Sequence, residues 1–122
     1  MKRKVLLVDD SGLARRSVRG LLEANHFEVV EAEDGMIAIE KYFADKPDVV
    51  LLDLVMKGMY GLDVLAKLRE FDPGARVIVV SADVQSSSQA LALDAGACGF
   101  LNKPVDHAEL LRTIGHVLHG AD

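Results

Sequence analysis

The chain has 122 residues, half of them hydrophobic and about a quarter charged, with a formal net charge of −5. This length suits one domain, and the composition is too apolar for a disordered chain. The acidic balance argues against nucleic acid as a direct partner, because phosphate backbones are bound by clustered lysine and arginine. No apolar run approaches a membrane span, so we expect no membrane insertion. We expect a single domain over residues 1–122, since a second domain does not fit in this length.

The chain contains a single cysteine, Cys98, which cannot form a disulfide within the chain. The absence of a structural disulfide is consistent with a reducing compartment, so we expect a cytoplasmic location. Because no histidine lies near Cys98 in the sequence, a small buried residue at the start of a strand is favoured over a nucleophile.

Strand-like and helix-like segments alternate five times along the chain, with no Ser/Pro/Gly-rich linker between them. Short apolar runs predict strands at residues 5–8, 27–31, 48–54, 75–81 and 98–101. Apolar spacing and capping residues predict helices at residues 11–25, 35–44, 62–71, 85–95 and 106–119. This alternation is typical of βα units that feed one parallel sheet.

Several helix ends and one helix face can be assigned from local chemistry. Asp34 is predicted to cap the second helix, Gly96 to end the fourth in a left-handed conformation, and Asp106 to cap the fifth with Glu109. The second helix is expected to turn an apolar stripe towards the core, formed by Ala38, Ile39, Tyr42 and Phe43.

The central segment, residues 48–54, reads DVVLLDL, with four apolar residues in a row between acids. An unbroken run of this kind is typical of a strand buried on both faces of a parallel sheet. Asp53 stands where that strand leaves the core. Ligand chemistry in open α/β sheets collects at the carboxyl ends of the strands, so Asp53 is placed for function.

Polar residues also follow other strands: Asp9 and Asp10 after the first, Ser81 after the fourth and Lys103 after the fifth. Each alone is more simply a cap, a turn residue or a solvated charge. Together, three carboxylates in one cleft would repel one another unless a cation lay among them. Mg²⁺ prefers oxygen ligands and is usually held by carboxylates plus a phosphate. An aspartate can itself be the nucleophile that forms an aspartyl phosphate, and a lysine suits a phosphate oxygen.

As an ordered set, the motifs of the chain resemble the receiver domains of two-component response regulators, of the stand-alone, chemotaxis-regulator-like type. The matching motifs are LLVDDS at residues 6–11, AEDG at 32–35, LLDLVMKGMYG at 51–61, VSA at 80–82 and GACGFLNKP at 96–104. The resemblance covers essentially the whole chain. It implies a flavodoxin-like, doubly wound α/β fold with a five-stranded parallel sheet in the order 2-1-3-4-5.

The same resemblance assigns the acidic residues. It implies that Asp53 is the phosphoacceptor and that Mg²⁺ is the cofactor. Asp9 and Asp10 are expected to hold the metal together with Asp53 and the backbone carbonyl of Val55.

The remaining site residues follow from the resemblance as well. Ser81 is expected to contact the phosphoryl group and Lys103 to pair with it, with a cis peptide bond before Pro104. Ser81 and Phe100 are expected to form the switch. Ser81 stands where the family more usually has Thr, and Phe100 where it often has Tyr, so the switch lacks one hydroxyl.

The function implied is that of a phosphoacceptor signalling domain, which promotes only its own phosphotransfer and dephosphorylation. A sensor histidine kinase or a phosphotransfer protein is the expected donor. A downstream protein is expected to dock on the fourth helix, fifth strand and fifth helix. The chain itself is expected to be a monomer or a weak phosphorylation-dependent dimer.

Two other functions share parts of this pattern. A small Mg²⁺-dependent phosphohydrolase would also use an aspartyl phosphate, but such enzymes commonly carry a second acid two residues after the nucleophile, where this chain has Val55. A flavin-binding domain of similar topology would need phosphate-binding donors after the first strand, where Asp9 and Asp10 would repel the phosphate.

Overall fold

A computed structural model describes residues 2–56, 58–82 and 86–119, and each predicted segment overlaps one observed element. The elements are β1 (Lys4–Val8), α1 (Gly12–Ala24), β2 (Glu28–Ala32), α2 (Gly35–Asp45), β3 (Val49–Asp53), α3 (Gly61–Phe71), β4 (Val77–Ser81), α4 (Ser86–Asp94), β5 (Gly99–Asn102) and α5 (His107–His119). Gln85, the predicted first residue of the fourth helix, lies outside the described residues. None of the helices that the structure describes is long and apolar enough to cross a membrane.

The strands form one parallel sheet in the order β2-β1-β3-β4-β5, which confirms the expected topology. Since β1 and β3 are neighbours, Asp9, directly after β1, comes close to Asp53 at the end of β3. Asp53 pairs with Val80, and Ser81 is the next residue of β4. The sheet order therefore brings polar residues from distant parts of the sequence to one edge.

The sheet is covered on both faces by two separate apolar clusters. Successive residues of a strand point to opposite faces. Val50 and Leu52 belong to the cluster that includes residues of α2 and α3, whereas Val49 and Leu51 belong to the cluster with α1 and α5. All residues of β3 are buried. The unbroken apolar run is thus explained, because neither face of β3 meets water.

The predicted helix ends are confirmed. The Asp34 carboxylate accepts a hydrogen bond from the Ile37 N–H at 2.8 Å, and that of Asp106 accepts one from the Glu109 N–H at 3.2 Å. Gly96 has a φ of 105°, the left-handed conformation in which glycine commonly ends a helix. These ends depend on residues close in sequence, which is why the sequence predicts them well.

Two predictions of burial are wrong. Cys98 is exposed, since it precedes β5, the edge strand, which is only partly covered. Phe43 is 44% exposed although Tyr42 is buried, because successive helical residues point about 100° apart around the axis. The Phe43 ring instead packs edge to face against Phe71, with ring centroids 5.9 Å apart.

Gly61 holds the start of α3 directly against the end of β3. Its N–H donates a hydrogen bond to the Leu54 carbonyl at 2.9 Å. A Cβ at Gly61 would lie 2.7 Å from the Asp53 carbonyl oxygen and 2.7 Å from Leu54 Cα. These are backbone atoms, which cannot rotate away. The residue with no side chain therefore sets how closely α3 approaches the site.

We expect Gly61→Ala to lower the free energy of unfolding by about 1–3 kcal/mol, the usual cost of forcing extra volume into a packed site. Gly20→Ala is the matched control, because Gly20 lies inside α1 and a Cβ there meets nothing within 4 Å. That control should raise stability by about 0.5–1 kcal/mol through helix propensity. Urea unfolding of both variants measures the difference, and equal stabilities would contradict the steric argument.

Candidate functional site

Three carboxylates meet at the carboxyl edge of the sheet. Asp9 and Asp10 directly follow β1, and Asp53 is the last residue of β3. One carboxylate oxygen from each lies within 4.8 Å of the others. Asp9 and Asp53 are 6% and 7% exposed, whereas Asp10 is an exposed residue. The cluster is therefore buried at Asp9 and Asp53 and exposed to solvent at Asp10.

Lys103 brings a positive charge to this cluster from the segment after β5. Its Nζ donates to Oδ2 of Asp9 at 2.8 Å and to Oδ2 of Asp53 at 3.2 Å. Its backbone N–H donates to the Ser81 carbonyl at 2.8 Å, and the bond between Lys103 and Pro104 is cis. One amine thus bridges two acids that come from different strands.

The electrostatics of the pair follow from burial and from these contacts. Burial raises the pKa of the Asp53 carboxyl above its ordinary value; the charge of Lys103 opposes that rise, and the charge of Asp9 adds to it. Burial lowers the pKa of Lys103, but its hydrogen bond to Asp9 and the charges of both acids outweigh burial, so that pKa lies above its ordinary value. Lys103 therefore stays protonated beside the two buried acids.

The donor set fits a hard divalent cation such as Mg²⁺. The cluster offers carboxylate oxygens, and the exposed Asp10 leaves one side open to water or to a phosphate. Carboxylates this close repel one another, and a divalent cation held between them would relieve that repulsion. Asp9, Asp10 and Asp53 are therefore the residues that would hold the metal.

Val55, the fourth expected metal ligand, lies next to the cluster. Its N–H donates to Oδ1 of Asp53 at 3.3 Å, and the residue is 62% exposed. The contact shows that the chain turns back over Asp53 directly after β3. The role of the Val55 carbonyl as a metal ligand stays a prediction.

The two expected switch residues occupy different environments. Ser81 ends β4 and is fully buried, with its carbonyl bonded to the Lys103 backbone. Phe100 pairs with Val79 in the sheet and is partly buried against the cluster of α2 and α3. In this structure, then, Phe100 packs inward and does not project fully into water.

Sequence reasoning missed Arg15, which supports Asp9 from α1. The Arg15 guanidinium donates through Nη1 to the Asp9 carbonyl and through Nε to Oε1 of Glu31, the latter at 3.0 Å. On its other side, Oδ1 of Asp9 accepts the Ser11 N–H at 2.9 Å. A basic residue in the first turn of the helix is the only sequence signal for this contact, since its partner Glu31 is 16 residues away.

A cavity of about 360 Å³ opens beside Asp53 and Lys103, between α1 and α5. Most of its wall is apolar, and Ser17 and His107 add polar atoms. The apolar lining consists of Leu7, Val8, Ala14, Val18, Leu51, Val80, Pro104, Val105 and Leu110. The cavity therefore borders Asp53 and Lys103 on the side of α1 and α5.

Comparison with known proteins agrees with this geometry. Residues 5–115 match the model of the response regulator receiver domain. The chain is 38% identical to the chemotaxis protein CheY of Bacillus subtilis (strain 168), over 98% of this chain and 100% of that protein.

Solved structures give the same result. A CheY-like response regulator receiver domain protein from Methanospirillum hungatei JF-1 superposes with a TM-score of 0.92 at 27% identity, covering 98% of this chain and 95% of that chain. CheY from Borrelia burgdorferi, solved in a complex with CheX, BeF3 and Mg²⁺, superposes with a TM-score of 0.88 at 34% identity, covering 92% of this chain and 86% of that chain. Taken with the match over residues 5–115, these relatives show that the chain belongs to the response regulator receiver domain family of two-component signalling.

Proposed function

We propose that this receiver accepts a phosphoryl group on Asp53 from a sensor histidine kinase or a histidine phosphotransfer protein, with Mg²⁺ as cofactor. The phosphoryl group then changes which protein partner binds. The position of Asp53 carries the proposal. It is a buried acid at the end of the central strand, with two acids within 4.8 Å and the Lys103 amine at 3.2 Å.

The residues present suit phosphoryl transfer. A carboxylate oxygen of Asp53 forms the new bond to phosphorus while the bond to the donor's histidine nitrogen breaks, and the work left to the site is positioning and charge neutralisation. Bound Mg²⁺ would supply charge neutralisation at the phosphoryl oxygens. Lys103 already donates to Asp53, so its amine is placed to exchange that carboxylate oxygen for a phosphoryl oxygen. Ser81, at the end of β4, supplies a hydroxyl for the same group in this proposal.

A signalling role is better supported than the two alternative functions. The family match supports a receiver, and the sequence lacks the second acid that a phosphohydrolase commonly carries two residues after its nucleophile. The acids after β1 disfavour a flavin phosphate. In this proposal the chain promotes only its own phosphotransfer and dephosphorylation.

We propose that the output surface is formed by α4, β5 and α5. Ala92 on α4 belongs to the apolar cluster against which Phe100 on β5 packs, so α4 and β5 share one part of the core. Leu91 and Leu93 on α4 are 55% and 47% exposed, which offers apolar area to a protein partner. The Borrelia burgdorferi CheY solved with CheX, BeF3 and Mg²⁺ supports both a protein partner and the metal.

The proposal has further parts that rest on family membership. We place the protein in the cytoplasm, where ATP supplies histidine kinases, and we expect a monomer or a weak dimer that forms on phosphorylation. That residues 1–122 form a receiver without an output domain stays a prediction.

Asp53→Asn should abolish phosphorylation by a small phosphodonor in the presence of Mg²⁺, because the amide is a poor nucleophile. Intact-mass spectrometry should show one added phosphoryl group on the unmodified protein and none on the variant. Asp63→Asn is the matched control, since Asp63 lies in the first turn of α3 and outside the acid cluster. Equal phosphorylation of Asp53→Asn would show that another residue is the acceptor.

Lys103→Ala should remain folded but lose the response to phosphorylation. Without the amine, Asp9 and Asp53 lose a shared donor, so we expect a cost of about 1–3 kcal/mol in unfolding experiments without Mg²⁺. Mg²⁺ should recover part of that loss, because it offsets the same charges. Lys67→Ala, a half-exposed lysine on α3, is the control and should change neither property. A normal response in Lys103→Ala would remove Lys103 from the switch.

Beryllofluoride, which mimics a phosphoryl group, should shift NMR signals in α4 and β5 as well as near Asp53. Phosphorylation adds about −1.5 to −2 of charge, which biases a pre-existing equilibrium between two packings. Phe100→Ala should reduce the shifts in α4, whereas Phe71→Ala, an exposed aromatic on α3, should leave them unchanged. Shifts confined to residues around Asp53 would contradict this output surface.

A further inference from the structure

Arg15 connects the acid cluster to β2 through a chain of polar contacts. Its guanidinium donates to the Asp9 carbonyl with one nitrogen and to Glu31 with another, the second contact measuring 3.0 Å. The Arg15 side chain is only 16% exposed, so it lies against the protein along its length. The fork-shaped guanidinium makes both contacts at once, which a single amine cannot do with the same geometry.

Glu31 is itself fixed in place. Its other carboxylate oxygen accepts from Arg19 at 2.5 Å, and its carbonyl accepts from the Lys41 amine at 2.6 Å. Glu31 also pairs with Leu7 in the ladder between β1 and β2. The hydrogen bond from Arg19 lowers the pKa of Glu31, with Arg15 acting in the same direction, so this anchor stays ionised. Arg15 is therefore held by a residue of the sheet.

The contact with the Asp9 carbonyl has a consequence for Asp10. The peptide between these residues is planar, so a restrained carbonyl of Asp9 also restrains the N–H and Cα of Asp10. The Asp9 N–H is restrained as well, through a bond of 3.2 Å to the Ala32 carbonyl. The positions of Asp9 and Asp10 thus depend on the peptide plane that joins them, and Arg15 holds that plane from the side of α1.

We propose that Arg15 is a positioning residue for the Asp9 and Asp10 carboxylates and thereby sets the affinity of the site for a divalent cation. This inference rests on the proposed function, because it takes the acid cluster to be the metal site. Arg15 contacts the backbone of a metal-holding residue and acts through it. Partners that orient metal ligands in this way typically change metal affinity by 10–100-fold when they are removed.

A simple charge effect makes a different prediction from positioning. If Arg15 acted only through its positive charge, its removal would reduce repulsion of the incoming cation and strengthen metal binding. That effect would also shrink at high salt, where charges are screened. Loss of positioning instead weakens binding, and it does so at both low and high salt.

The test is a titration of the full chain with Mg²⁺ at low and at high salt. Binding is monitored by calorimetry and by the amide NMR signals of Asp9 and Asp10. Arg15→Ala should weaken Mg²⁺ binding about tenfold at both salt concentrations. Arg15→Lys, which keeps the charge without the fork, should lose most of the same affinity. Glu31→Gln, which removes the charged anchor, should shift affinity in the same direction by less. Arg16→Ala is the matched control, an exposed arginine next in the same helix, and should not weaken binding.

Unchanged or stronger Mg²⁺ binding in Arg15→Ala, or full affinity in Arg15→Lys, would overturn the role of Arg15. Thermal unfolding of each variant shows whether it is folded, and if Arg15→Ala is not, Arg15→Lys and Glu31→Gln decide the question. An unmodified protein that neither binds Mg²⁺ nor is phosphorylated on Asp53 would contradict the proposed function itself. Normal phosphorylation of that protein, with unchanged affinity in the Arg15 variants, would contradict only this inference.

Discussion

The site depends on the amine of Lys103, which donates hydrogen bonds to two buried carboxylates. It reaches Asp9 at 2.8 Å and Asp53 at 3.2 Å. Burying a carboxylate is costly unless a charge or hydrogen bonds compensate for it. Asp10 adds a third acid, and one carboxylate oxygen from each of the three lies within 4.8 Å of the others. Three carboxylates in one place favour a metal ion. In the proposed function, the amine of Lys103 would exchange the Asp53 carboxylate oxygen for an oxygen of the phosphoryl group.

The two sides of the site differ in how firmly they are held. On the side of β1, Asp9 is bound through its carboxylate and both of its backbone polar groups, with Arg15 anchored on Glu31. On the side of β4 and β5, Phe100 is only partly buried at the edge of the sheet. A switch needs an element with two packings of similar free energy. The proposed function would use this difference, with the metal held on the side of β1 and the output surface on the side of β5.

The sequence by itself determined the order of strands and helices, the burial of β3 and several helix ends. These features depend on periodicity and on hydrogen bonds between residues close in the chain, such as that from the Ile37 N–H to Asp34. It also indicated that Asp53 and Lys103 come after strands. The sheet order 2-1-3-4-5, in contrast, came from resemblance to a family, because local periodicity does not specify which strands are neighbours.

Only the tertiary structure decided how these residues meet. Lys103 contacts Asp9 although 94 residues of sequence separate them, and no local spacing pattern predicts a contact over that separation. Likewise, the contact of Arg15 with Glu31 depends on the angle at which α1 packs beside β2. The exposure of Phe43 depends on how α2 is rotated against the sheet, and that of Cys98 on its place beside the edge strand β5. Composition and spacing determine whether a segment forms a strand or a helix, because those preferences are local. The packing of the elements determines which charged side chains contact one another.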